Sequence, residues 1–146
     1  MIQYKVTIEG LPELQRKLGE SNFRVALKQG MTNAVVYFEG EIKRRTPVRT
    51  GQLRGSFTHE VSEDGREGEV GTDKEYGPYV EEGTGVYIGK GRIYPRTKKA
   101  LAWDNMARRS IAGQKGQFFV KRTWEEEGGV KLLRFFNDEF DKALKG

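Results

Sequence analysis

Phe23, Leu27, Met31, Ala34, Val35, Phe38 and Ile42 recur at three- and four-residue intervals, the spacing that lines one side of an α-helix with apolar residues. The pattern predicts a long helix over about 23–45, with Ser21 or Asn22 placed to cap it. Gly30 and Gly40 weaken such a helix without breaking it. Pro47 ends it, because proline has no amide hydrogen and turns Thr46 toward extended angles. A helix with one greasy side must be covered, so the rest of the chain is read first as cover.

Ile2, Tyr4, Val6 and Ile8 alternate with polar residues, which predicts a strand over 2–9 that turns at Gly10. Pro12 opens a short helix to about Leu18, closed by Gly19. Leu53 and Phe57 begin a predicted strand over 53–61. A polar turn at Asp64-Gly65 leads into a second strand near 67–72, an antiparallel hairpin with its acidic residues in solvent. Phe118-Phe119-Val120 reads as a further strand, and Ile93–Trp103 as one or two more. Val130, Leu133, Phe136, Phe140 and Leu144 predict a closing helix over about 129–144 with these residues inward. Residues 76–82 fit a short helix or an extended crossing equally. The expected fold class is α+β: an antiparallel β-sheet packed against a long amphipathic helix and a C-terminal helix, with long glycine-rich loops. One domain over 1–146 is expected, long enough for a modest core.

Nineteen glycines gather in the middle and at 113–129, which favours turns and mobile loops at 86–92 and 104–116 over general disorder. No cysteine is present, so no disulfide or thiolate chemistry is available. No signal peptide is visible at the start, and no apolar run approaches the ~20 residues of a membrane span. The formal charge of +5 admits a nucleic-acid partner but says less than its distribution. Lys43, Arg44, Arg45, Arg49 and Arg54 form a basic block. Glu60, Glu63, Asp64, Glu67, Glu69, Asp73 and Glu75 follow as an acidic one, and Lys90, Arg92, Arg96, Lys98 and Lys99 reverse the sign again. Alternating blocks suit self-association, one copy's basic patch meeting another's acidic patch. They also read as unrelated solvated faces, and the cations at 43–45 as partners of a helix C-terminus.

Catalytic and cofactor chemistry is hard to find. A phosphate loop ending at Gly89-Lys90 needs glycine at 84 and a hydroxyl at 91, where the chain has Thr84 and Gly91. His59 is the only histidine and reads as an ordinary polar strand position. Glu81 and Glu82 are adjacent, so in an extended segment they point to opposite sides. Tyr76, Tyr79, Tyr87 and Tyr94, interleaved with Lys90, Arg92 and Arg96, suit base stacking or, more simply, packing on the rim of the sheet. No catalytic residue, cofactor or metal site is expected.

Two motifs carry a resemblance. Thr46-Pro47-Val48-Arg49-Thr50-Gly51-Gln52-Leu53-Arg54-Gly55-Ser56 resembles the TPV-x-TG-x-L-x-x-S segment of phage neck proteins. These are the head–tail joining or tail-completion proteins of long-tailed bacteriophages, the gene-product-ten type of lambda-like siphophages. Thr72, followed by Tyr76-Gly77-Pro78-Tyr79-Val80-Glu81-Glu82-Gly83-Thr84-Gly85, is similar to the family's T-x-x-x-YA-x-YVE-x-GTG, with Gly77 for alanine and Glu82 for an aromatic residue. The resemblance implies a non-enzymatic virion protein of the head–tail junction or upper tail tube, assembled in the host bacterial cytoplasm. It implies a homo-oligomeric ring whose partners are connector or head-completion proteins and tail-tube or tail-terminator proteins. Contact with DNA in the channel is the alternative, and no membrane is involved. Arg44, Arg45, Arg49, Arg54, Tyr79, Glu82, Lys90 and Arg92 are the expected partner-facing residues, with Pro47, Gly51, Gly83 and Gly85 setting the motif turns.

Overall fold

A computed structural model describes residues 2–8, 11–96, 101–103 and 106–146. In chain order the elements are β1 (Ile2–Thr7), α1 (Pro12–Leu18), α2 (Glu20–Arg45), α3 (Gln52–Ser56), β2 (Thr58–Val61), β3 (Glu67–Thr72), α4 (Gly77–Glu82), a 3₁₀ turn (Gly85–Ile88), β4 (Leu101–Trp103), β5 (Met106–Arg108) and α5 (Phe119–Lys145). The contacts divide them into two units. The first comprises Met1–Lys74 with Phe119–Gly146, and the second is Glu75–Phe118.

The first unit is the α+β architecture expected: a three-stranded antiparallel sheet in the order β1-β3-β2, with two long helices. Every residue of the stripe from Phe23 to Ile42 is buried. β3 alternates in burial, with Gly68, Val70 and Thr72 turned inward. A Cβ on Gly68 would lie 2.5 Å from the Met31 sulfur, so bare backbone lets the sheet settle directly on α2. α5 runs antiparallel to α2. Phe140 stacks on Phe23 at 5.7 Å, and Tyr37 meets Phe135 at 5.4 Å. At Gly30 a Cβ would meet the Phe136 ring at 2.7 Å, so the absence of a side chain sets how closely the helices approach. Each such buried aromatic or aliphatic side chain contributes roughly 1.5–3 kcal/mol of transfer free energy.

Several predicted boundaries move. α2 starts at Glu20, so Ser21 and Asn22 lie inside it and Gly19 precedes it. The Asn22 amide instead donates to the Leu18 carbonyl at 3.2 Å. Residues 52–56 form a helical turn rather than strand, because four-residue spacing brings Leu53 and Phe57 to the core from a helix as well as from a strand. Phe119 and Val120 open α5 instead of forming a strand. The closing helix is thereby 27 residues long. Phe136 and Phe140 are buried as expected, but Val130, Leu133 and Leu144 are 82%, 64% and 51% exposed. The face of α5 that meets α2 begins instead with Phe119, Val120 and Thr123.

In the second unit, residues 77–82 resolve as helix. β4 and β5 pair antiparallel, and Ile93 bridges Ile111. Part of the loop expected at 104–116 is therefore β5. Asp104 and Asn105, the basic pair Lys98 and Lys99, and the Gly10 turn lie outside the described residues.

Candidate functional site

The first motif closes α2 and reverses the chain. Thr46, 1% exposed, takes extended angles, and its amide and hydroxyl both donate to the Ile42 carbonyl, at 2.8 and 2.6 Å. Gly51 at φ +81° supplies the left-handed step before α3. The Arg54 guanidinium returns to donate to the Thr46 carbonyl at 3.0 Å. The Ser56 hydroxyl donates to the Leu53 carbonyl at 2.8 Å and lies 2.5 Å from the Thr72 hydroxyl. Thr72 is the residue with which the second motif begins.

That second motif builds a platform from backbone. Pro78 lies in the first turn of α4, and Gly83 at φ +95° ends it. Strand-like bonds then tie the platform to residues 111–118. Thr84 and Val86 amides donate to the Gln114 and Ala112 carbonyls, each at 2.8 Å, and the Gln117 and Phe118 amides donate to Val80 and Glu81, each at 2.9 Å. The approach is too close for side chains. A Cβ on Gly85 would lie 2.1 Å from the Ala112 oxygen, and one on Gly113 2.3 Å from the Thr84 oxygen.

Among the described residues of this unit, the buried positions are Gly77, Glu81, Gly83 and Gly85. The large apolar side chains face outward. Tyr76 and Tyr79 stand three apart on α4 with Glu82 continuing the same side, and Val86, Tyr87 and Ile88 follow on the 3₁₀ turn, all exposed. Tyr79 and Tyr94 are 57% and 64% exposed, so these tyrosines do not pack a sheet rim as the simpler sequence reading expects. The Lys115 ammonium sits over the Tyr87 ring at 5.9 Å.

Charge is handled differently in the two units. Residues 75–118 hold eight Lys and Arg against four Asp and Glu, so they supply +4 of the chain's +5. Among the described residues, Lys90, Arg92, Arg96 and Lys115 make no ion pair with a carboxylate; Arg92 donates to the Ser110 hydroxyl at 2.9 Å. In the first unit several cations are paired, above all those at the end of α2. Arg45, 19% exposed, reaches Glu41, Glu126 and Glu127 and so ties α2 to α5, and Arg44 pairs with Glu41. His59 meets Glu39, which Lys43 also holds. Burial pushes the Glu39 carboxyl up, but the hydrogen bonds from Lys43 and His59 outweigh it and leave its pKa below the ordinary value. On the sheet's outer face, Glu67 bonds Lys5 at 2.8 Å and raises the pKa of that ammonium.

The expected site residues therefore fall in two groups. Arg45 and Arg54 are engaged within the first unit, while Arg44 and Arg49 are exposed there with Pro47. Tyr79, Glu82, Lys90 and Arg92 share the second unit, where Gly83 and Gly85 form its turns. Val86 and Ile88 on the 3₁₀ turn, and Lys115 over Tyr87, fall in the loops expected at 86–92 and 104–116 but were not named among the expected partner-facing residues. Bulky apolar residues between glycines were the available signal for the first two.

A family model described as "Bacteriophage HK97-gp10, putative tail-component" matches residues 11–83, half of the chain and most of both motifs. Comparison with curated proteins and with solved structures gives no match.

Proposed function

The chain belongs to the HK97-gp10-like family of phage tail components, and from that premise we propose that it is a structural virion protein of the head–tail junction or the head-proximal end of the tail tube. It acts by ring-type association and by docking to connector and tail proteins, without turning over a substrate, and residues 1–146 serve as one assembly module. The observation that carries this reading is the second unit. A glycine-laced platform exposes Tyr76, Tyr79, Val86, Tyr87 and Ile88 while burying glycines. Exposed apolar side chains gathered in one short stretch mark a place where another macromolecule sits. Tyrosines in the same unit as cations that pair with no carboxylate among the described residues match the composition of interface anchors.

Residues 86–92 supply the docking tip of this platform, with Tyr79, Glu82, Lys90 and Arg92 as its partner-facing residues; Arg44 and Arg49 are partner-facing residues of the first unit. The test is deletion of 86–92 in the phage, followed by electron microscopy of the lysate. Unjoined heads and tails are expected, and normal infectious particles overturn the docking role.

The cations of the second unit, of which Lys90, Arg92, Arg96 and Lys115 pair with no carboxylate among the described residues, favour one alternative, non-specific contact with phosphates of DNA in the channel. That binding would fall steeply with salt. A gel shift at low salt decides it, since no retardation there removes the DNA reading.

A further inference from the structure

Building on the structural role just proposed, we infer that the tyrosine- and cation-bearing surface of the second unit docks on the outer face of the β1-β3-β2 sheet of a second copy of this chain. The register carries the argument. Gln3, Lys5 and Thr7 of β1, Glu67, Glu69 and Gly71 of β3, and Thr58 and Glu60 of β2 point away from α2. Glu60 stands directly opposite Glu69, a pairing of like charges that disfavours the strand contact. The one cation on this face, Lys5, sits opposite Glu69 but bonds Glu67. Among the described residues neither Glu60 nor Glu69 makes an ion pair. A recess of about 190 Å³ opens here, lined by Lys5, Glu60, Val61, Ser62, Glu67 and Glu69. It can take the end of a long cationic side chain.

The second unit presents what this face lacks. Lys90 and Arg96 are exposed, have no carboxylate partner among the described residues, and belong to the same unit as exposed Tyr79, Tyr87 and Tyr94. A nucleic acid would use those cations too, but it would leave the carboxylates of the sheet unanswered. A second copy answers both excesses at once. Because the two surfaces differ, the contact can run head to tail from copy to copy, and it closes into a ring when the rotation permits.

The test follows the full chain by sedimentation velocity, with circular dichroism confirming that each variant is folded. Lys90 and Arg96 are chosen for reversal because, among the described residues, neither side chain makes a hydrogen bond that its loss would break. The unaltered chain should form species larger than a dimer that loosen between about 50 and about 500 mM salt. Lys90→Glu with Arg96→Glu, and separately Glu60→Lys with Glu69→Lys, should each weaken association at least about tenfold. The chain carrying all four reversals should associate again. Tyr79→Ala, a milder change, should weaken association without altering its salt dependence.

An unaltered chain that stays monomeric at every concentration overturns the inference. So do folded reversals that associate normally, a fourfold variant that fails to recover, or a monomer retained on DNA through Lys90 and Arg96. Reversals that associate normally but leave heads and tails unjoined would remove this pairing and keep the structural role. Complete particles from a phage lacking the gene would remove the role itself.

Discussion

The two units spend the same kinds of residue in opposite ways. In the first, Phe23, Phe38, Phe136 and Phe140 are buried and the cations Lys43, Arg44 and Arg45 are matched to carboxylates. In the second, glycines occupy buried positions, tyrosines face out, and Lys90 and Arg96 have no acidic partner among the described residues. The first is stabilised by hydrophobic burial, which needs no further molecule. The second is held by backbone hydrogen bonds, each worth only ~0.5–1.5 kcal/mol net. It has much to gain from a partner that covers its side chains. The difference teaches that the packed core and the outward-facing tyrosines occupy separate stretches of this chain, and that the second motif, from Thr72 to Gly85, runs from one to the other.

Substitutions can break or sharpen that contrast. The largest effect is expected from Phe23→Ala, which removes the ring stacked on Phe140 and should cost about 3–5 kcal/mol in chemical denaturation. A loss under about 1 kcal/mol would mean the first unit lacks a packed core. Gly85→Ala should open the second unit alone, since a Cβ there meets the Ala112 oxygen. Hydrogen exchange should lose protection at the Thr84 and Val86 amides by ~10-fold or more while α2 is unchanged. Equal loss in both units would contradict their independence.

Arg45→Ala should cost about 1–3 kcal/mol, because it leaves Glu126 and Glu127 facing α2 without their cation. A smaller increment belongs to Glu39. An acid whose pKa is lowered on folding contributes stability above its ordinary value of 4.5 and loses it as pH falls through the folded value. Wild type should therefore lose up to ~1 kcal/mol between about pH 6 and pH 3 that Glu39→Gln does not lose. Parallel pH profiles for the two proteins would remove the claim. Smallest of all, Tyr79→Ala should leave stability within ~0.5 kcal/mol. Any larger loss would show that this tyrosine serves the fold rather than a partner.

Much of the first unit was legible in the sequence because periodicity reports directly on a single buried face. The stripe from Phe23 to Ile42 and the alternation in β1 are of that kind. The start of α5 was not legible, since Phe118-Phe119-Val120 behind a glycine has the composition of a strand. The structure instead places Phe118 at φ +48° and begins the helix one residue later. The inward residues of α5 were half wrong for a related reason. Val130, Leu133 and Leu144 share a helical period with Phe136 and Phe140, but Gly30 admits the Phe136 ring and so fixes which side of α5 meets α2. No single-helix pattern carries that information. At the candidate site, the turns at Gly51, Gly83 and Gly85 were readable. That Arg45 and Arg54 turn inward was not, because their partners lie on other elements.

The glycine lacing of residues 83–85 against 112–116 has one more consequence. Since Thr84, Val86, Gln114 and Ala112 are joined main chain to main chain, the platform's shape is nearly indifferent to what its outward side chains are. Outward positions such as Tyr79, Val86 and Lys90 are free to vary without loss of the scaffold beneath them. Among relatives that serve different tails, divergence should gather on those outward positions, while Gly83, Gly85 and Gly113 stay as they are.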